Sequence, residues 1–436
     1  MNLIDWKETL EQELVQLSQQ GADLNELPAH LRTVSGTQAE LAAKCRELYE
    51  KQGQWPIVPG YPYQEPSDWS SIQEASLFHA KQEKIDRNRL FDRIHGAWLG
   101  RAAGCLLGKP VEGWMREEIR NLLAACDGYP LRNYFTGRFP PDGLESWKHE
   151  QYAQNVIENG SGMPRDDDMD YTILALKTLE IFGSEFNTDN IAEMWLTYLP
   201  PFMTYTAERA AYLNLCAGVP VADAALLNNP YREWIGAQIR ADFYGYINPG
   251  DPAEAARMAF QDAALSHKGN GIYGAMWIAA MNSAAFCLED PEAVIRAGMD
   301  HIPQQSRLHE ALDWVLRLKN EQPSWEAAGD HLLKQFAGYH RIHTINNAAI
   351  VALALLYGER DLEKTISIAV MMGLDTDCNG ASAGSVIGIL NGANALPDKW
   401  TRPLHDRIES FIAGEGVQTI SKLALRSWAI AAERRY

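Results

Sequence analysis

The chain has 436 residues, 46% hydrophobic and 22% charged, with a formal net charge of -18. This is enough apolar material for a large core, while the acidic balance excludes a general affinity for nucleic acid or anionic membrane surfaces, which draw on excess Lys and Arg. No stretch reaches the roughly 18 to 20 apolar residues that span a bilayer, no leader-like segment opens the chain, and the cysteines at 45, 105, 126, 216, 287 and 378 show no metal-type or disulfide-type spacing, so a cytoplasmic protein is expected.

From the N-terminus, Leu3, Trp6, Leu10, Leu14 and Leu17 fall at helical spacing, and residues 38–51 predict a second, more polar helix. Residues 52–69, with Trp55, Pro56, Pro59, Gly60, Pro62 and Pro66, read as an extended connector. The expectation is that 1–85 is a helical extension whose apolar stripe is too small for a core of its own, packed on a catalytic domain over 86–436. From Asp92 onward, apolar residues recur every three or four positions and alternating runs are nearly absent. The fold class expected is therefore all-α, with helices over 172–182, 253–265, 276–288, 348–357 and 362–372.

Two glycine ladders stand out. Gly96, Gly100, Gly104 and Gly108 recur every four residues, and Gly380, Gly384, Gly388 and Gly392 repeat the pattern near the other end. A glycine inside a helix costs about 1 kcal/mol relative to alanine, so a face of them implies close backbone approach. If the two helices pack antiparallel, Glu112 after the first ladder faces Asp375 and Asp377 before the second.

Asp166, Asp167, Asp168 and Asp170 lead into the apolar-periodic 171–182 stretch. Asp is favoured as a helix cap and in the first turn, yet three consecutive carboxylates repel one another unless a cation or solvent screens them. In Gly373-Leu374-Asp375-Thr376-Asp377-Cys378-Asn379, two acids sit in a tight turn between apolar helices. Either the turn is solvated, or a hard divalent cation partners the acids, because clustered oxygen ligands suit magnesium, calcium or manganese better than zinc.

These pieces resemble the ADP-ribosylglycohydrolase family over about residues 90 to 410. Gly-Arg-Ala-Ala-Gly-Cys-Leu-Leu-Gly-Lys-Pro-Val-Glu (100–112) is similar to the family's glycine-rich first helix ending in a functional glutamate, Asp166-Asp167-Asp168-Met169 to its Thr-Asp-Asp-Thr metal motif, and Gly373-Leu374-Asp375-Thr376-Asp377-Cys378-Asn379 to its Gly-x-Asp-x-Asp-Thr signature. Gly236-Ala237-Gln238-Ile239-Arg240 resembles the loop that approaches ADP-ribose phosphates, and Ser266-His267 with Asn270-Gly271-Ile272-Tyr273-Gly274 a second His/Gly segment.

The resemblance implies an orthogonal helical bundle that binds Mg2+ and cleaves the N- or O-glycosidic bond at the ribose anomeric carbon of an ADP-ribosyl or related ribosyl conjugate. It assigns Asp166, Asp167, Asp168, Asp375, Asp377 and Cys378 as metal ligands and Glu112, Asp167 and Asp377 as catalytic. Gly236, Gln238, Arg240, His267, Gly271 and Tyr273 are its substrate-binding candidates. Asp166, Met169 and Cys378 stand where the family has threonines, and Cys105 follows Gly104 where Gly-Asp is usual; thiols and thioethers are poor magnesium partners, which leaves one or two ions open.

Read from residue type alone, Arg240 and Arg232 suit either phosphate or a surface salt bridge. His267, His340 and His343 suit either a cleft or capping and packing. Tyr273, between glycines, suits stacking on a base or ribose. Two other functions remain open: a non-catalytic binding descendant with a degenerate metal site, and a metal-dependent phosphohydrolase on an unrelated helical scaffold.

Overall fold

The computed structural model describes residues 4–78, 82–138 and 145–435. It is about 64% helical, with 22 helices among the described residues and one small sheet pairing Ile408–Glu409 with Val417–Gln418. The fold is all-α, as expected from the three- and four-residue apolar spacing.

Its centre is the pair of glycine-laddered helices, Leu90–Gly108 and Thr376–Asn391. Gly96 lies against the Gly388 carbonyl, Gly100 against that of Gly384, Gly104 against that of Gly380, and Gly108 against the backbone of Thr376 and Asp377. The partners run in opposite order, so the helices are antiparallel. A Cβ at any of these positions would fall under 3.0 Å from a backbone atom of the other helix. The backbones touch directly, which gives close dispersion contact and places Cα–H groups against carbonyls.

The predicted helices appear as Asp167–Phe182, Pro252–Ala263, Asn270–Ala284, Thr344–Tyr357 and Leu362–Met371. Three, those starting at Asp167, Asn270 and Thr344, begin four to six residues earlier than the periodicity suggested. At Asn270, a buried Glu233 carboxylate takes both the backbone N–H (3.1 Å) and the side-chain amide (2.9 Å); at Thr344, His343 caps the helix by accepting from Ile345 N–H at 3.2 Å. A distant carboxylate in the first case and a local cap in the second satisfy N–H groups that a helix start leaves open. Arg101, fully buried mid-ladder, donates to Thr172 Oγ1 (3.0 Å), Asp242 (2.9 Å) and Asp168 (3.0 Å), tying the Asp167–Phe182 helix to the glycine pair.

The first helix of the extension is Trp6–Gln19 and the second Gln38–Glu50, closed by a Thr37/Glu40 capping box; Leu3 lies outside the described residues. They enclose a small cluster around Leu10, Leu17, Leu41, Cys45 and Leu48, separate from the main core. Glu13 accepts two bonds from the buried Arg232 (2.7 and 3.0 Å), Gln16 donates to Glu233 (2.7 Å), and Glu65 binds Arg307 (2.6 Å). Arg232 is therefore in an internal ion pair, not a surface one. No helix among the described residues is long and apolar enough to cross a membrane.

The ladder contact predicts a position-dependent glycine cost. Gly384→Ala should lower stability by roughly 2 kcal/mol or more, because the helices must separate. Gly137→Ala, with nothing within 4 Å of the added carbon, should be nearly neutral. Equal melting temperatures for the two variants would contradict the contact.

Candidate active site

The antiparallel register brings the C-terminal end of one glycine helix to the N-terminal end of the other. Thr376 Oγ1 donates to the Gly108 carbonyl at 2.8 Å, closing one of the acceptors that the helix end exposes. Beyond Gly108 the chain makes a short turn, Lys109–Val111, and reaches Glu112. The next residues clasp the Gly373–Leu374 turn through Gly113 N–H to Leu374 O (2.8 Å) and Leu374 N–H to Trp114 O (2.9 Å). That turn needs positive φ at both Gly373 (77°) and Leu374 (68°), a region that a leucine adopts only when its surroundings hold it there. Its result is to deliver Asp375 and Asp377 beside Glu112.

The third arm comes from the Asp167–Phe182 helix. Asp166 is its N-cap, accepting Asp168 N–H at 3.0 Å through Oδ1, while its Oδ2 takes the Lys109 ammonium. Asp168 accepts Arg101 through Oδ1 (3.0 Å) and the Cys378 thiol through Oδ2 (3.1 Å). Ligand atoms of Cys105, Asp166, Asp168 and Asp377 all lie within 4.8 Å of one another, as do those of Asp375, Asp377 and Cys378. Asp377 belongs to both groups, and its Oδ1 is buried with no hydrogen-bond partner.

Glu112, Asp166, Asp167, Asp168, Asp375 and Asp377 thus converge, with Lys109 and Arg101 bound directly to two of them. The excess of negative charge and the burial together shift these carboxyls. Crowding by protein, then the Asp375 charge, pushes Glu112 up to about 7 although its side chain opens to solvent. Burial pushes Asp375 to about 6 and holds Asp167, Asp168 and Asp377 well above the usual carboxylate range, reinforced by neighbouring carboxylates. Asp166 alone is lowered: burial would raise it, but Lys109 more than offsets that. An unpartnered buried oxygen among mutually repelling carboxylates is the chemistry that a hard divalent cation fits.

The remaining sequence candidates form a wall and a layer behind it. Ile235 and Ile239, flanking Gly236 in the short helix Gly236–Ile239, pack on Cys378. Both amide atoms of Gln238 are buried without a protein partner. Arg240, expected to meet phosphate, is turned inward: Glu208 (2.5 Å), Asp262 (2.5 Å) and Ser266 (2.9 Å) take its guanidinium. His267 bonds Ser266 Oγ at 2.8 Å through Nδ1, and burial, then Arg240, keeps it neutral. Gly271 adjoins the Arg232 carbonyl and the His267 ring. Tyr273, expected to stack on a base or ribose, is fully buried with its hydroxyl on the Pro66 carbonyl of the extension. His340 stacks on Trp234 with centroids 4.2 Å apart, and His343 caps its helix. Asp170 is used up by Arg165 (2.8 Å) and Ser410 (2.7 Å), and Met169 is core.

Three neighbours were not singled out from sequence as site residues: Lys109, Arg101 and Asn347, whose Oδ1 accepts Asn379 Nδ2 at 2.8 Å beneath Asp375. Lys109 was findable, since it directly follows the last ladder glycine and lies three residues before Glu112.

An all-helical fold with a buried carboxylate cluster assembled at facing helix ends defines a candidate metal-dependent enzyme. The sequence pattern of the ADP-ribosylglycohydrolase family matches residues 86–434, and the chain belongs to that family. Membership implies hydrolase chemistry on ADP-ribosyl-type substrates, in a family that usually binds a divalent metal. Among 47 matching chains of solved structures is an "ADP-ribosylglycohydrolase-related protein complex", 21% identical, with a TM-score of 0.50, covering 79% of this chain and 99% of its own; that likeness shows the fold. No curated protein sequence matches the chain.

The raised carboxyls make stability depend on pH with a definite sign. A carboxyl whose folded value lies above the unfolded value of roughly 4 contributes stability below that value, and loses it as pH rises through the folded one. With Asp375 at about 6 and Glu112 at about 7, EDTA-treated protein should melt progressively lower from about pH 5 to about pH 8, and magnesium should reverse the trend at the upper end, because metal binding displaces protons. A melting temperature flat across that window in EDTA would contradict the crowding.

Proposed function

We propose that the chain is a magnesium-dependent glycohydrolase that cleaves the N- or O-glycosidic bond at the ribose anomeric carbon of an ADP-ribosyl or related ribosyl conjugate. The observation that carries this reading is the unpartnered, buried Asp377 Oδ1 at the centre of the convergent carboxylates. The ligands of a divalent ion held there would be drawn from Asp166, Asp167, Asp168, Asp375, Asp377 and Cys378, and the ion would supply polarisation of ribose hydroxyls and water.

The chain's own groups do the rest. Glu112, at the solvent-facing edge and titrating near neutrality, is placed to orient a ribose hydroxyl or to take a proton from the attacking water. Asp377 and Asp167 are placed to position the same groups from the second and third arms. Gly236 permits close backbone approach and Gln238 offers an unused amide; His267 and Gly271 shape the layer behind them. The 1–85 extension is proposed to be one folded unit with the 86–436 catalytic domain, supported by the Glu13–Arg232 pair. Glu13→Ala would strand a buried guanidinium at a cost of about 3 kcal/mol or more.

A second reading is a non-catalytic binding descendant, favoured by the Lys109 ammonium and Cys378 thiol resting on carboxylates of the metal set. Hydrolysis separates the two. ADP-ribosylated arginine, ADP-ribosylated serine, O-acetyl-ADP-ribose and simple nucleosides should be assayed with and without magnesium. Asp375→Asn and Asp377→Asn are expected to lower activity by more than ~100-fold, and Glu112→Gln by roughly 10²–10⁴-fold. Magnesium should raise the melting point of the wild type, by the equivalent of about 2.7 kcal/mol at a hundred times Kd, and of the Asp variants far less. Full activity in the variants, with no magnesium shift in the wild type, would reduce the cluster to helix caps.

A further inference from the structure

We propose that Lys109 is a built-in cation that takes the place of one divalent ion, leaving this chain a single-ion site centred on Asp375 and Asp377. The inference rests on the metal-dependent reading of the cluster and adds to it the number of ions and the residue that sets that number.

The two carboxylate groups are not equally free. In the first, every oxygen of Asp166 and Asp168 is already engaged: Asp166 Oδ1 by Asp168 N–H (3.0 Å), Asp166 Oδ2 by the Lys109 ammonium, Asp168 Oδ1 by Arg101 (3.0 Å) and Asp168 Oδ2 by the Cys378 thiol (3.1 Å). An ion bound through Asp166 would have to displace the ammonium or share its carboxylate with a like charge. The rest of that group is Asp377, which it shares with the second group, and Cys105, whose thiol is a poor partner for a hard cation. In the second group, Asp377 is 3% exposed and its Oδ1 has no partner, and its neighbour Asp375 carries no protein cation.

Lys109 is held in place by its backbone as well as by its charge. It sits directly after the last ladder glycine, in a turn whose carbonyl accepts the Gln151 amide at 3.2 Å, and its side chain is 17% exposed. The glycine contact that fixes Gly108 against Thr376 and Asp377 therefore fixes where the lysine starts. An ammonium supplies one of the two positive charges that a divalent ion would bring, but it has no vacant orbital with which to activate water. The lysine thus acts as a positioning residue for Asp166, and Lewis-acid chemistry falls to the remaining ion.

The test is a count of ions on full-length protein stripped with EDTA and titrated with Mn2+, read by equilibrium binding and by electron paramagnetic resonance. Wild type should bind one Mn2+ per chain with an uncoupled spectrum, and Lys109→Arg should do the same. Lys109→Met should take up a second ion and show the spin coupling of a close pair, since two-metal sites hold ions about 3.5–4 Å apart. Two coupled ions in the wild type, or a folded Lys109→Met that still binds one, overturns the inference while the metal-dependent reading stands. No Mn2+ on the wild type overturns both. If Lys109→Met does not fold, the counts on wild type and Lys109→Arg decide.

Discussion

The backbone contact between the two glycine helices is the constraint on which the rest of the structure depends. Helices that meet through side chains lie 8–10 Å apart; here every ladder glycine but Gly392, which faces the Asp92 carboxylate, lies against a carbonyl of its partner, leaving no room for a single carbon between them. The register follows from pairing Gly96 with Gly388 and Gly104 with Gly380. A slip of one turn would keep glycines facing glycines along part of the seam, but it would carry Gly108 away from Thr376 and Asp377 and separate Glu112 from Asp375. The same contact that stabilises the core therefore sets the geometry of the carboxylates.

What the sequence made legible was periodic or clustered. Four-residue glycine spacing announced the central pair and its direction, runs of Asp announced the cluster, and apolar spacing announced the helix class. What stayed hidden was partnership across the fold. The helix start at Asn270 lies in a stretch rich in glycine that reads as a loop, and it exists because Glu233, 37 residues away, takes its N–H groups. Arg240 sits in a motif suited to phosphate, but Glu208 and Asp262, brought from separate helices, claim its guanidinium. Tyr273 between glycines suits stacking until Pro66 of the extension closes over its hydroxyl. In each case local pattern was overruled by a group that spacing alone does not bring near.

Burial of charge is common in this protein and does not by itself mark the site. Glu233 is fully buried; burial pushes its carboxyl up, but Arg307, His343 and hydrogen bonds from Asn270 and Gln16 bring it down to about 2, so it stays ionised. Arg232 with Glu13, Arg307 with Glu65, and Arg240 with Glu208 and Asp262 are likewise paired at 2.5–2.7 Å. Such pairs are expensive to break and close to neutral to keep, which suits the Glu13 and Glu65 pairs that join the extension to the rest of the chain.

The carboxylate cluster differs in how far its charges fall short of balance. Around Glu233, three acids (Glu13, Glu65 and Glu233) share the guanidinium groups of Arg232 and Arg307, and the Glu233 carboxyl titrates low. Around Asp377, several carboxylates face Lys109 and an Arg101 already shared with Asp242, and every member but Asp166 titrates high. A fold that gives its buried acids partners elsewhere, yet leaves one group of them short of cations and one carboxylate oxygen without a partner, supports the reading in which a divalent ion supplies the missing charge. The imbalance, more than the burial or the count of acids, separates the site from the scaffold.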